Sequence, residues 1–129
     1  MQTYGTLCAM SLAGTAAAEE ELRLPSGATP RLFDVVTAEG YEAPVWHFRF
    51  LWPGLSRDLL AGEAMADDME ALCNAVAAPR IAAEGGTAER IVIAVSDREF
   101  AFGEAAPDAV QSFEAFVLTD AGTCEWEPF

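Results

Sequence analysis

The stretch Val45-Trp-His-Phe-Arg-Phe-Leu-Trp52 decides the fold. Its side chains alternate strictly, with Trp46, Phe48, Phe50 and Trp52 on one face and Val45, His47, Arg49 and Leu51 on the other. Period two with this density of aromatics predicts a β-strand, and Pro53-Gly54 stops it. The aromatic face has three readings. It packs as core beneath a helix, each ring burying a large area. Trp52, at the strand end, together with Trp126 near the C-terminus, forms an exposed recognition patch. Or a partner strand pairs along the sheet edge.

The helix that would cover such a face lies between Gly62 and Ala78. There Met65, Met69, Leu72, Cys73 and Val76 fall on one stripe at i, i+4, i+7, i+8 and i+11. Cys73 therefore faces the core. Glu63, Asp67, Asp68 and Glu70 take the remaining surface, mostly in the N-terminal half, where the helix dipole favours negative charge. Pro79 is expected to end or kink this helix, and Gly85-Gly86 ends whatever follows.

Working outward, Arg31-Leu-Phe-Asp-Val-Val-Thr-Ala38 follows the turn-like Pro25-to-Pro30 stretch and reads as a strand ended at Gly40. Arg90-Ile-Val-Ile-Ala-Val-Ser96 is apolar on both faces and reads as a central strand. Asp97-Arg98 turns the chain, and Glu99 to Phe102 alternates as a hairpin partner closed by Gly103. Pro107 to Gln111 reads as one helical turn. A last hairpin runs from Phe113 to Thr119, through Asp120-Ala-Gly122, and back from Thr123 to Phe129. The expected fold is α+β: an antiparallel or mixed sheet of about five to six strands with one main helix on one face. It occupies residues 19–129 as a single domain.

Residues 1–18 carry no charged side chain, whereas every charged residue lies from Glu19 onward. Small residues ending in Ala16-Ala17-Ala18 before a polar chain read as a signal peptide cleaved after Ala18. The competing reading is a small-residue arm or first strand of a cytoplasmic protein. Removing these residues deletes Cys8 and leaves Cys73 and Cys124, an even count that in an exported chain suggests a disulfide. Cys124 shares its parity with Trp126, opposite Glu125 and Glu127, so it points inward like Cys73. A helix stripe and a strand face that pack together then bring the two sulfurs into one interface. Two buried free thiols are the alternative.

The chain has 129 residues and a net charge of −14, every basic residue being arginine, and 52% of it is hydrophobic. That is enough to bury roughly two thirds of its unfolded surface as one domain. Acidic charge spread over residues 19–129 rather than collected in a tail rules against nucleic acid and anionic membranes as partners, since both need clustered cations. The apolar N-terminal run is too short for stable membrane insertion. No metal site or cofactor is expected. His47 is the only histidine, so no two-histidine site exists, and Arg49 beside it lowers its pKa rather than preparing it as a base. No serine sits in G-x-S-x-G, and there is no phosphate-binding glycine loop and no lysine. Glu63, Asp67, Asp68 and Glu70 make a solvated helix face before they make a hard-cation site. No catalytic residue is assigned; the surface residues assigned to binding are Trp52, Trp126, His47 and Arg49.

Several segments together resemble a family of small exported alphaproteobacterial proteins of unknown function. They are Trp46-His-Phe-Arg-Phe-Leu51, Asp68-Met-Glu-Ala-Leu-Cys73, Ser96-Asp-Arg98 with Phe102-Gly103, Pro107 through Phe116, and Gly122-Thr-Cys-Glu-Trp-Glu-Pro-Phe129. The likeness covers roughly residues 22–129 and implies an exported domain with the same cysteine pair. It carries over no activity. The label acetolactate synthase, attached to some such sequences, fails here, because a thiamine-diphosphate enzyme needs far more chain and a cofactor motif. The expectation is therefore a periplasmic or secreted, disulfide-stapled accessory or binding domain with no enzymatic activity, taking a protein or small-molecule partner. The alternative is a cytoplasmic small-molecule-binding regulatory domain with a βαββαβ sheet.

Overall fold

Alternating β-branched and aromatic residues form β1 (Arg31–Ala38) and β2 (Val45–Leu51). These pair antiparallel in the computed structural model, which describes residues 22–128. After β2 comes a short helix, α1 (Arg57–Ala61), whose first turn is capped by Ser56 accepting the Leu59 N–H. A longer helical passage follows, and the chain returns as β3 (Arg90–Ser96), parallel to β2. Then β4 (Gln111–Leu118) pairs antiparallel with β3, and β5 (Cys124–Glu127) pairs antiparallel with β4. The result is one five-stranded mixed sheet whose spatial order follows the chain. With its one main helix this is the expected α+β fold.

The helical passage is α2 (Ala64–Leu72), a π turn (Cys73–Ala77) and α3 (Ala78–Ala83). It does not stop at Pro79. The Ala78 N–H reaches back to Cys73 O, an i→i+5 bond. This wider turn comes just before the proline, which has no N–H to give and whose ring crowds the preceding turn. The extra residue also rotates the buried stripe: Met65, Met69, Leu72 and Cys73 point inward as expected, Val76 packs partly buried at the margin of the core, and Ala77 and Ile81 are fully buried beyond it. Gly85, in the left-handed region at φ 65°, ends the helix.

Trp46, Phe48, Phe50 and Trp52 all join the core on the helical side of the sheet, with Ile91, Ile93, Val95 and Phe116. Trp52, which the core reading of this face buries and the recognition-patch reading exposes, is only 5% exposed. Two local causes hold it there. Its N–H donates to Ser96 O at 2.8 Å, prolonging the β2–β3 pairing by one residue, so the aromatic parity extends to it. The chain then turns back at once, the Leu55 N–H donating to Trp52 O, and Leu55 is buried in the same cluster.

Asp68 is also moved, from the solvated helix face to a 1% exposed site. Its carboxylate receives the Ser26 N–H and Oγ–H at 3.1 and 2.5 Å, which ties the turn around Leu24–Ala28 to α2. A buried carboxylate with two charge-assisted hydrogen bonds is a fastening of tertiary structure. Among the described residues no three metal-ligating side chains come together.

Two elements after β3 differ from expectation. Glu99 to Phe102 is a loop rather than a strand, because β3 already has β2 on one edge and β4 on the other. Pro107 lies in a hydrogen-bonded turn, the Ala109 N–H donating to Ala106 O, rather than in a helix. The βαββαβ trace is thereby excluded, and the observed order is ββαβββ. The neck of this 97–110 loop is closed by Asp97 N–H to Val110 O and Val110 N–H to Asp97 Oδ1.

Cys73 and Cys124 are bonded to each other, with Cα atoms 6.2 Å apart. The bridge joins the first residue of the π turn to the first residue of β5, and Asn74 Oδ1 accepts the Cys124 N–H at 2.8 Å beside it. The edge strand is thus clamped to the helix. No described helix is long and apolar enough to cross a membrane. The proposed signal segment, residues 1–18 including Cys8, lies outside the described residues.

Candidate functional site

Alternation along β2 sends His47 and Arg49 to the face of the sheet away from the helices. An arginine on an uncovered sheet face normally reaches water, yet Arg49 is only 6% exposed. Two irregular features enclose it. The first is a bulge in β1 between Leu32 and Asp34. A bulge re-aims side chains that strict alternation would separate, and here both Phe33 and Asp34 reach the same guanidinium. Asp34 Oδ2 accepts Arg49 Nη1 at 2.6 Å, and the Phe33 ring lies 4.9 Å from the guanidinium carbon. The second is the 97–110 loop. It brings Phe100 O to Arg49 Nη2 at 2.8 Å and sets the rings of Phe100 and Phe102 at 5.1 and 5.6 Å from the same carbon. Three aromatic faces, one carboxylate and one carbonyl therefore satisfy the buried cation, each ring within cation–π range.

Around this post is a half-open cavity of about 270 Å³. Val92 and Ala94 of β3 lie in its wall with Phe33, Phe102 and Phe113, and His47 is at the same surface. Ala94 sits between Arg49 on β2 and Phe113 on β4 in the strand register, and its small side chain leaves room there. Phe102 and Phe113 remain 49% and 56% exposed. Of the polar side chains in the wall, Ser96 Oγ is spent on the Arg98 turn and the Gln111 amide donates to Ala106 O.

His47 stands apart. Its ring meets Phe102 edge-on at 4.9 Å, and no hydrogen bond ties it to any described residue. Burial first, and the Arg49 charge second, push its pKa below the usual histidine value. Both penalise the imidazolium, so the ring is neutral at pH 7, with one donor and one acceptor nitrogen. A pKa depressed by folding means that the unfolded chain takes the proton more readily. The associated stability is intact above about pH 6.5 and is lost as pH falls through the folded-state pKa. Because this is the only histidine, its ring C–H signals give a single NMR titration, expected to have a midpoint below about 6.5. Arg49→Met should raise that midpoint part of the way, burial being the larger cause; a wild-type midpoint at or above the free value would contradict this placement.

The four residues assigned to binding from the sequence thus part company. His47 and Arg49 share the cavity, and Trp52 is core. Trp126 is 57% exposed and pairs with Phe116 across the β4–β5 ladder, which puts it on the helical face at the sheet edge. Its Nε1 donates to Glu114 Oε1 at 2.7 Å. What the sequence reading missed were Phe33, Phe100, Phe102 and Phe113. The signal in the sequence is the i, i+2 pair of phenylalanines in Phe100-Ala-Phe102, whose alternation fits a strand but which forms a loop folded over the second face.

A family of unknown function, DUF6497, matches residues 7–129. No curated protein and no solved structure matches the chain.

Proposed function

We propose, for a chain that belongs to the DUF6497 family of unknown function, that the domain is an exported, disulfide-held binding module that seats a small apolar ligand against the open face of its sheet. The observation that carries this reading is the half-open aromatic cavity built over Arg49. Small-ligand sites are concave and mostly apolar with a few placed polar groups, and this cavity has that make-up. It offers a neutral imidazole and a guanidinium whose charge is already matched by Asp34. Export is supported by the Cys73–Cys124 bridge, since such bonds persist in oxidising compartments, and by the uncharged residues 1–18. A small-molecule ligand rather than a protein partner is supported by a volume that holds about one or two rings.

Toluene is the simplest probe of the cavity. Titrated into isotope-labelled protein, it is expected to shift amide signals of β3, the start of β4 and the 97–110 loop in a saturable way, leaving α2 unmoved. Ala94→Trp, which fills the space between Arg49 and Phe113, should abolish the shifts while the Cys73–Cys124 bond and the β-sheet signals persist. Saturable shifts that survive Ala94→Trp would reject the cavity as the binding seat, and so would the absence of saturable wild-type shifts from toluene and from every polar or charged single-ring probe of its shape.

A further inference from the structure

We propose that this cavity takes an uncharged aromatic molecule bearing a hydroxyl group, with its ring against Phe102 and Phe113 and its hydroxyl on the His47 imidazole. The proposal rests on the cavity being the binding seat and names what it selects.

Charge is decided by what already fills the site. Rings of this kind attract cations through their faces, but the guanidinium of Arg49 already stands over Phe33, Phe100 and Phe102. A second cation finds those three faces taken and would lose its hydration in the cavity without them. An anion finds no open counter-charge, because Asp34 holds Arg49 at 2.6 Å. It would bring an unmatched charge into an apolar cavity of a protein whose net charge is −14. A neutral ligand incurs neither cost.

Size and chemistry narrow it further. A volume of about 270 Å³ lies just under the usual range for drug-sized ligands, which suits a single ring or a fused pair. The half-exposed faces of Phe102 and Phe113 give such a ring apolar surface to cover, in offset or edge-on contact. The polar demand comes from His47. Its neutral imidazole has a donor and an acceptor, and no described residue uses either. A hydroxyl is the smallest neutral group that can answer whichever nitrogen faces the cavity, by donating or by accepting. A pure hydrocarbon leaves the imidazole unsatisfied on desolvation.

Four probes of matched shape test this at pH 7.5 by NMR titration: 4-methylphenol, toluene, benzoate and benzylamine. 4-Methylphenol is expected to bind about three- to tenfold more tightly than toluene, the range one net hydrogen bond supplies. Both charged probes should bind at least about tenfold more weakly than 4-methylphenol. His47→Phe should level 4-methylphenol with toluene, and His47→Gln, which keeps a donor and an acceptor, should retain a preference for the phenol. Toluene binding as well as 4-methylphenol, or either charged probe binding more tightly, would overturn the proposed ligand class while leaving the cavity as a binding seat. If none of the four binds, the seat itself is refuted and this proposal with it.

Discussion

Replacing both Cys73 and Cys124 by alanine is expected to lower the stability of the domain by about 4 kcal/mol in denaturant titrations. The estimate follows from the 51-residue separation that the bridge closes, through the chain entropy the cross-link removes from the unfolded state. For a domain of this size that corresponds to a melting temperature lower by on the order of 15 to 30 °C. Both cysteines are buried, at 0% and 5% exposure, so alkylation should leave them untouched until a reductant and a denaturant are both present. The bond also determines which element is lost first. β5 has only four residues, lies at the sheet edge and pairs with β4 alone, so its amide protons should lose protection before those of β3 when the bridge is absent. A change below about 0.5 kcal/mol, the scatter of an unremarkable surface substitution, would show that the clamp contributes nothing. The same sample reads export: protein recovered from an exporting host should have a mass beginning at Glu19, and a mass beginning at Met1 would oppose the export proposal.

Trp52→Ala carries the second large effect, a loss of about 3 to 5 kcal/mol, the range for truncating a buried aromatic. Trp52 lies in the same cluster as Phe50, Leu55 and Met65. The loss has two parts, the transfer of the indole back to water and the cavity left where the neighbours cannot close. Trp126→Ala is the control. The residue is more than half exposed and its indole N–H donates to Glu114, so the substitution should cost no more than about 1 kcal/mol. Equal, small losses for the two tryptophans would put Trp52 back on the surface as a recognition aromatic. Equal, large losses would show that the Trp126 ring is buried in the folded protein and would contradict its exposed place at the sheet edge.

Much of the architecture was legible where local geometry repeats. The two faces of Val45–Leu51, the strand Arg31–Ala38, the last hairpin and the inward aim of Cys73 and Cys124 all follow from periods of two or 3.6 residues. Reading failed where an element departs from its period or leaves it. One inserted residue in the π turn moved Val76 to the margin of the core and buried Ala77 fully. One in β1 put Phe33 and Asp34 on the same guanidinium. Asp68 looked like any other acid of a solvated helix until Ser26, 42 residues earlier, was folded onto it.

The candidate site was half visible for the same reason. His47 and Arg49 could be placed together from parity alone, because neighbours on one strand face are fixed by the backbone. Phe33, Phe100, Phe102 and Phe113 could not be added, since they come from another strand, a loop and a third strand. By itself the sequence determined a two-faced sheet under one helix and a pair of cysteines able to meet across them. Only the tertiary structure decided that the second face is partly roofed by the 97–110 loop, that a buried cation is satisfied there by rings from distant segments, and that a cavity remains beside it. Backbone geometry repeats over a few residues and can be read along the chain, whereas an enclosed volume exists only between segments and depends on how they close.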